Sequence, residues 1–342
     1  MKTSLRTSLG ALALAGLLTA CSDDTTTNKQ TQTAPASSPA AESPAPAADN
    51  KLETRFATIA TGGASGPYNI IATTMGEIFN KTYGVNSKTQ TTGASVENVN
   101  LMAQNKVELA FLMSDVLSDA LAGEGSFQAP VTNVQQIAAL YPNYVQIVTS
   151  KKSGIKTLED LRGKRVAVGA QNSGVEVNAR NLLTGHGISY SDLKVDYLGY
   201  AEAADALKAG KLDAAFLTSG LPNASLLELE QSFDLQMVSI KPENVSRIAE
   251  DKSYFVSLEI PAGTYGNEEP VTTAAIMNAL AVRSDLSQED VYKLTRTFFD
   301  SLPQLRNSHQ AMNDVSVEAA QQGLVAPLHP GAQQYYDELA AD

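Results

Sequence analysis

Arg55-Phe56-Ala57-Thr58-Ile59-Ala60-Thr61-Gly62-Gly63-Ala64-Ser65-Gly66-Pro67 carries the fold class. Residues 55–61 are rich in β-branched and apolar side chains and are bounded by glycine, which predicts a short strand. Residues 62–66 form a turn. Pro67 falls in the first turn of the helix that follows, where its missing N–H would have had no partner anyway. Ile71, Met75, Ile78 and Phe79 then recur at helical spacing.

The same grammar recurs outward from this stretch. Thr91-Thr92-Gly93-Ala94-Ser95 opens a helix through Val96, Val99 and Met102, and the apolar strand 109–113 closes on Ser114-Asp115 at another helix start. Ser, Thr and Asp ahead of apolar periodicity are N-cap signals. Residues 144–149 predict a strand, and Thr157-Leu158-Glu159-Asp160 opens a short helix ended by Gly163. A strand follows over 165–169, then Gln171-Asn172-Ser173-Gly174 begins a helix to Leu183. A strand over 211–217 ends in Thr218-Ser219-Gly220. The last third holds a strand near 272–279, helices from Ser287 and near Val315, and Pro327-Leu328-His329-Pro330-Gly331 ahead of a short final helix. No internal repeat of fixed period stands out. Alternation of this kind predicts an α/β fold with parallel strands, and about 290 residues suffice for a large core split into two lobes.

At least five of these strands end in a polar turn that begins a helix. In open α/β sheets ligands bind beyond the carboxyl ends of the strands. Helix starts there present unpaired N–H groups and partial positive charge, which suit a carboxylate or phosphate without an arginine. Each turn taken singly also reads as a plain cap of its own helix.

The N-terminal segment predicts export. Lys2 and Arg6 are the only charges before the apolar run 9–18, which ends in Leu18-Thr19-Ala20-Cys21. A basic start, a short apolar core and small residues before a cleavage point mark a secretory signal over 1–20, and the core is shorter than the roughly 20 residues a membrane span needs. Leu-Thr-Ala-Cys resembles a bacterial lipobox, which would make Cys21 a lipid anchor; an ordinary signal peptide that happens to contain a cysteine is the alternative. Residues 21–52, rich in Thr, Ser, Ala and Pro, predict a disordered tether that reaches about 30 Å as a random coil.

Charge and composition exclude several classes. Net charge is −12, and loss of Lys2 and Arg6 with the signal makes it −14, which disfavours nucleic acid and anionic membrane surfaces. With Cys21 the single cysteine, no disulfide is available. His186, His309 and His329 lie at no metal-ligand spacing. The Gly63-Ala64-Ser65-Gly66 run is one residue short of a nucleophile elbow, and no Lys-Ser or Lys-Thr pair makes it a phosphate loop. Glu97, Asp115 and Glu176 could in principle form an acid–base pair, but each also reads as a helix-start charge favoured by the dipole. No catalytic residue, cofactor or metal is expected.

An ordered set of blocks resembles one receptor family. Ile59-Ala60-Thr61-Gly62-Gly63-Ala64-Ser65-Gly66-Pro67-Tyr68, Thr91-Thr92-Gly93-Ala94-Ser95-Val96-Glu97-Asn98 and Leu112-Met113-Ser114-Asp115-Val116 come first. Ala138-Ala139-Leu140-Tyr141-Pro142, Ser153-Gly154-Ile155, Asp160-Leu161-Arg162-Gly163-Lys164-Arg165-Val166-Ala167-Val168-Gly169 and Ser173-Gly174 follow. Gly210-Lys211-Leu212-Asp213-Ala214-Ala215-Phe216, Pro261-Ala262-Gly263-Thr264-Tyr265 and Pro327-Leu328-His329-Pro330-Gly331-Ala332 complete the set, spread over residues 54–337. Together they resemble the TAXI receptors, the TRAP-associated extracytoplasmic immunogenic proteins that serve tripartite ATP-independent periplasmic transporters.

That resemblance implies a periplasmic-binding-protein type II-like clamshell, with two α/β lobes and a ligand cleft between them. Lobe 1 would be 53–145 with 255–342, and lobe 2 would be 146–254. It implies a monomer that captures a small anionic or zwitterionic solute such as glutamate, glutamine or a related dicarboxylate, and delivers it to TRAP membrane subunits. By position, the ligand contacts would be Ser65, Gly66, Tyr68, Thr92, Gly93, Ser95 and Asn98, with Ser114 and Asp115 nearby. Asn172, Ser173, Gly174, Thr218 and Ser219 would face them from the second lobe. Thr92, Ser95 and adjacent N–H groups would hold one carboxylate, Ser173 the other end, and Tyr68 would stack on the ligand or serve as plain packing. Asp115 would accept from a ligand ammonium or cap its helix. The chain has Asn69 where the family often has a second aromatic, and Gln171-Asn172-Ser173-Gly174 where it usually has Pro-Gly-Ser-Gly; both changes bear on ligand identity. A ligand-sensing lipoprotein, a receptor of an ABC-type transporter and an enzyme built on the cleft carboxylates are the competing classes.

Overall fold

A computed structural model describes residues 50–341; the signal 1–20, Cys21 and the tether as far as residue 49 lie outside the described residues. The body opens with β1 (Phe56–Ala60) and α1 (Pro67–Tyr83), which buries Ile71, Met75, Ile78 and Phe79 and ends at Gly84 in a left-handed conformation, φ 66°, that glycine takes without strain. β2 (Asn86–Gln90), α2 (Ser95–Ala103), β3 (Leu109–Met113), α3 (Ser114–Ala122) and the long β4 (Val134–Ser150) follow. The order then repeats as β5 (Arg165–Ala167), α4 (Gly174–Gly185), β6 (Lys194–Asp196), α5 (Tyr200–Lys208), β7 (Ala214–Ser219), α6 (Ala224–Glu230) and β8 (Leu235–Val238). After these come α7 (Pro242–Ala249), β9 (Val256–Ile260), β10 (Val271–Arg283), α8 (Gln288–Asp300), α9 (Leu302–Ser308) and α10 (Pro330–Ala341).

These strands join in one ten-stranded sheet made of two half-sheets of the same design. The first runs β2-β1-β3-β10-β4, with β1 parallel to both β2 and β3 and with β10 inserted antiparallel. The second runs β6-β5-β7-β4-β8, with β5 parallel to β6 and β7 and with β4 as the antiparallel insert. β4 therefore serves both halves, and β10, extended by β9, is its antiparallel partner at the crossing. This duplication left no fixed period in the sequence, because corresponding elements differ in length: α1 has 17 residues and α4 has 12.

Several elements depart from the sequence expectation. β2 and β6 were not expected; β2 has no apolar side chain and β6 only Val195, and both are sheet-edge strands in which burial leaves no pattern. The strand expected over 144–149 is the second part of β4, whose first part is broken as a pattern by Gln135, Gln136, Pro142 and Asn143. Pro142 is tolerated because the pairing with β10 slips between Met277 and Ala279. The strand expected over 211–217 lies at Ala214–Ser219, so Thr218 and Ser219 finish the strand instead of forming the turn. In place of a helix near Val315 there are 3-10 turns at Gln310–Asp314 and Ala319–Gln321, with Val315 extended between them. The helix expected from Thr157 is a single 3-10 turn, Glu159–Leu161.

The body is tied down from its first described residues. The N–H groups of Glu53 and Thr54 each donate to the Asp290 carboxylate at 2.8 Å, Lys293 Nζ donates to the Lys51 carbonyl, and Leu52 packs on the core around α1 and α8. Asp290 is buried near the start of α8, where Ser287 caps its own N–H. Asp290→Ala strands two amide donors and is expected to lower stability by about 2 kcal/mol. Urea unfolding checks this, and a change under about 0.5 kcal/mol would sink it.

Candidate ligand cleft

The turns after β1, β2, β5 and β6, with the ends of β3 and β7, surround a cleft of about 440 Å³. These are carboxyl ends of parallel strands, the place open α/β sheets put their ligands. The helices that start there are α1, α2, α4 and α5. Only α4 has a side-chain cap: Ser173 Oγ accepts from Glu176 N at 3.1 Å. At the start of α2 the Glu97 carboxylate reaches back to Gly93 N at 2.7 Å, which already places a negative charge against that helix end.

Of the residues singled out from sequence, Ser65, Gly66, Tyr68, Thr92, Gly93, Ser173, Thr218 and Ser219 line the cleft. Ser65 is half-buried there. The Thr92 hydroxyl is engaged, meeting Thr61 O at 3.0 Å and Asn98 Oδ1 at 2.6 Å while accepting from Ala94 N. Ser95, Asn98, Ser114, Asp115, Asn172 and Gly174 are not in the lining. Ser95 Oγ accepts from Met113 N, and Asn98 Nδ2 donates to the Thr61 and Phe111 carbonyls, so both brace strand ends. Ser219 Oγ belongs to a network on the reverse face, accepting from Gln146 and Asn223.

Four lining residues carry more than the sequence suggested. Asn143 comes from β4 and Met113 from the end of β3. Tyr200 and Glu202 come from the first turn of α5, a helix the sequence reading passed over. Tyr200 donates to the Thr218 carbonyl at 2.5 Å, which ties α5 to β7 and stands its ring in the cleft wall. The Ala-rich run after Gly199 was the available signal. Tyr68 forms the opposite wall, with its ring 5.2 Å from Phe111. Its hydroxyl donates to Asn278 Oδ1 and accepts from Asn143 Nδ2 at 3.2 Å, and burial pushes its pKa well above the ordinary tyrosine range. Tyr68→Phe keeps the wall and deletes that knot, so it is expected to cost 1–2 kcal/mol of stability with under threefold change in affinity. Thermal unfolding paired with calorimetry checks it; a large affinity loss at unchanged stability would contradict it.

Residues 59–339 match the NMT1-like family. The chain belongs to it. Three solved structures share the fold: the periplasmic binding protein BugD (12% identity, 84% of this chain and 96% of that one covered, TM-score 0.54), a protein from Bordetella bronchiseptica RB50 (18%, 85% and 90%, 0.51) and a periplasmic transporter protein (14%, 84% and 94%, 0.50). The fold is thus periplasmic-binding-protein type II-like.

In this NMT1-like chain the two halves touch along a seam beside the cleft. Glu97 N donates to the Asn172 carbonyl at 3.3 Å. A Cβ on Gly93 would lie 2.9 Å from the Gln171 carbonyl oxygen, one on Gly174 2.6 Å from Met113 Sδ, and one on Gly66 3.2 Å from the Tyr200 ring. Three glycines therefore stand where one half meets the other. Asn178 Nδ2 of α4 donates to Asp115 Oδ2 of α3 at 2.6 Å, also across the seam. Asp115 is fully buried, and burial, opposed by hydrogen bonds from Val116 N and Asn178 and aided by Asp119, pushes its carboxyl up to about 7.

Charge within the lining is sparse. Glu202 is its single ionisable carboxylate, and no Lys, Arg or His lines it. The histidines are elsewhere: His329 is buried and takes Gly331 N on Nδ1 with Leu286 O near Nε2, and His309 accepts from Ala311 N. No cluster of three His, Cys, Asp or Glu side chains able to hold a metal occurs among the described residues.

Proposed function

We propose that this chain is an extracytoplasmic solute receptor that captures a small carboxylate and delivers it to TRAP membrane subunits. Glutamate, glutamine and related dicarboxylates form the class that the TAXI resemblance implies. The observation that carries this reading is the meeting of four helix starts, two from each copy of the repeated half-sheet design, around one cleft. A solute that contacts both halves favours their closure by its differential affinity for the closed form. In this reading 53–145 with 255–342 and 146–254 are the lobes, the receptor is monomeric, and 1–20 and Cys21 provide export and a lipid anchor. Ser65, the free helix-start amides, Ser173 and Tyr200 contact the ligand, and the cleft binds without chemistry. Supporting it are the family membership, the shared fold, and a lining with polar turns but no paired acid and base.

Transport by proteoliposomes tests it. With the TRAP membrane subunits reconstituted and the purified receptor added outside, labelled glutamate or glutamine should enter on an imposed sodium or proton gradient without ATP. Uptake that needs ATP would assign the receptor to an ABC transporter, and no receptor-dependent uptake under either condition would end the proposal.

A further inference from the structure

The cleft floor has a hydrogen-bond polarity that a chain of contacts fixes from a backbone carbonyl outward. The Tyr141 carbonyl can only accept, so Asn278 must turn Nδ2 toward it, at 2.8 Å. Asn278 Oδ1 therefore faces Asn143 and Tyr68 and takes a proton from each: Asn143 Nδ2 donates at 2.8 Å, and the Tyr68 hydroxyl donates as well. Asn143 is left with Oδ1 as its remaining polar atom. That oxygen is buried in the cleft lining and has no partner, on a residue 1% exposed.

A second orphan sits beside it. Val145 of β4 pairs with Thr218 of β7, so Thr218 and Asn143, two residues before Val145, point to the same face of the sheet. Thr218 lines the cleft, is 1% exposed, and its Oγ1 has no partner. Buried polar atoms left unpaired cost stability, and native proteins keep few of them outside functional sites. Both floor atoms can accept. The walls are the rings of Tyr68 and Tyr200, whose hydroxyls are engaged elsewhere, and the one carboxylate side chain in the lining is that of Glu202.

Resting on the receptor reading above, we infer that the cleft recognises a primary ammonium group of its ligand, held on the floor by Asn143 Oδ1 and Thr218 Oγ1 between the rings of Tyr68 and Tyr200. An ammonium has three donors and no acceptor, so it satisfies both orphans at once. A carboxylate in the same place would face Asn143 Oδ1 with no cation in the lining to offset the repulsion. The ligand is thereby oriented, ammonium inward on the floor and carboxylate outward at the helix starts. A dicarboxylate without an amine can at most accept from the Thr218 hydroxyl and leaves Asn143 Oδ1 bare, so it is rejected, because a site built to pair buried polar atoms discriminates strongly against an analogue that leaves one bare.

Calorimetry on the purified protein, refolded from denaturant to free it of carried ligand, tests this with L-glutamate, L-glutamine, glutarate and putrescine. Glutamate or glutamine should bind at least about 100-fold more tightly than glutarate. Thr218→Val keeps the β-branched shape and removes an unpaired hydroxyl; it should weaken the amine ligands about tenfold and keep or raise the melting temperature of the ligand-free protein. Glutarate binding as tightly as glutamate, or a Thr218→Val variant with unchanged affinity for the amine ligands, would overturn the ammonium site while leaving the carboxylate receptor intact. Binding of putrescine but of none of the carboxylates would uphold the ammonium site and remove the carboxylate reading. Binding of none of the four would remove both.

Discussion

Gly93→Val lowers ligand affinity by about 100-fold or more while the protein stays folded. Gly93 sits in the turn ahead of α2, and the first atom of any side chain there would lie 2.9 Å from the Gln171 carbonyl oxygen, a backbone atom of the other half. Glu97 Oε2, at 3.0 Å, blocks a second direction because it is committed to Gly93 N. The Gln171 carbonyl is the backbone of a turn and cannot swing aside as a side-chain tip would. A valine must hold the turns after β2 and β5 apart, and with them the halves. A ligand that needs both halves then loses what it gains from the second, and a shift of a two-state equilibrium by about 3 kcal/mol is a factor of about 100 in apparent affinity. The backbone of Gly93 has no positive φ, so the substitution brings no conformational strain of its own. Calorimetry gives the affinity, and small-angle scattering shows whether added ligand still compacts the protein. An affinity within threefold of the unsubstituted protein would mean that the contact with Gln171 does not limit closure. Gly174→Val attacks the same seam from the other side, against Met113 and Ser95, and should act in the same direction.

Stability and affinity both fall as pH rises from about 5 to 8, and Asp115 is the cause. Its carboxyl titrates near 3.9 in an unfolded chain and is pushed up to about 7 by burial in the folded one. The folded state thus holds a proton that the unfolded state has released. The stability tied to that proton is fully present below about pH 4 and is lost as pH rises through 7. Its size is roughly 2–4 kcal/mol. Neighbouring groups modulate it: Asp119 acts against the ionised carboxylate, Lys252 offsets Asp119, Glu124 acts against Asp119, and the neutral Tyr254 phenol lies near all three carboxylates. Because Asp115 and its partner Asn178 belong to opposite halves, parting the halves hydrates the carboxyl and lets the proton go. Closure on a ligand should therefore take up a proton near pH 7. Urea unfolding at several pH values, and calorimetry in buffers of different ionisation enthalpy, measure the two effects. Asp115→Asn keeps a neutral polar group at the seam and should flatten both; equal pH slopes with and without it would rule out Asp115 as the source.

Much of the cleft is legible in the sequence, but not every side chain that lines it. The polar turns were recognisable because a Ser, Thr or Gly before an apolar helical period has a local reason to be there. Ser173 is the clear case, since its hydroxyl caps α4 through an amide three residues away. Where a hydroxyl has two possible destinations, nothing local chooses between them. Ser95 turns to Met113 N and braces β3, whereas Ser65 stays free in the cleft. Asn143 is the opposite case. It stands inside a strand interrupted by Pro142, and its role depends on Asn278 and Tyr68, neighbours only after β10 has folded between β3 and β4.

The sequence alone determined the α/β alternation and the positions of the helix starts, because strands, caps and a leading proline act over a few residues. The composition likewise set the acidic charge and the single cysteine. Folding was needed to bring three of those helix starts together with that of α5 around one cleft, to set Tyr200 and Tyr68 on it from opposite halves, and to leave two unpaired oxygens at its floor. The physical reason is that hydrogen-bond satisfaction and close backbone approach are settled by partners far away in the chain. Gly93 meets Gln171, and Asn143 meets Asn278, through a sheet whose two halves are joined by β4 and β10.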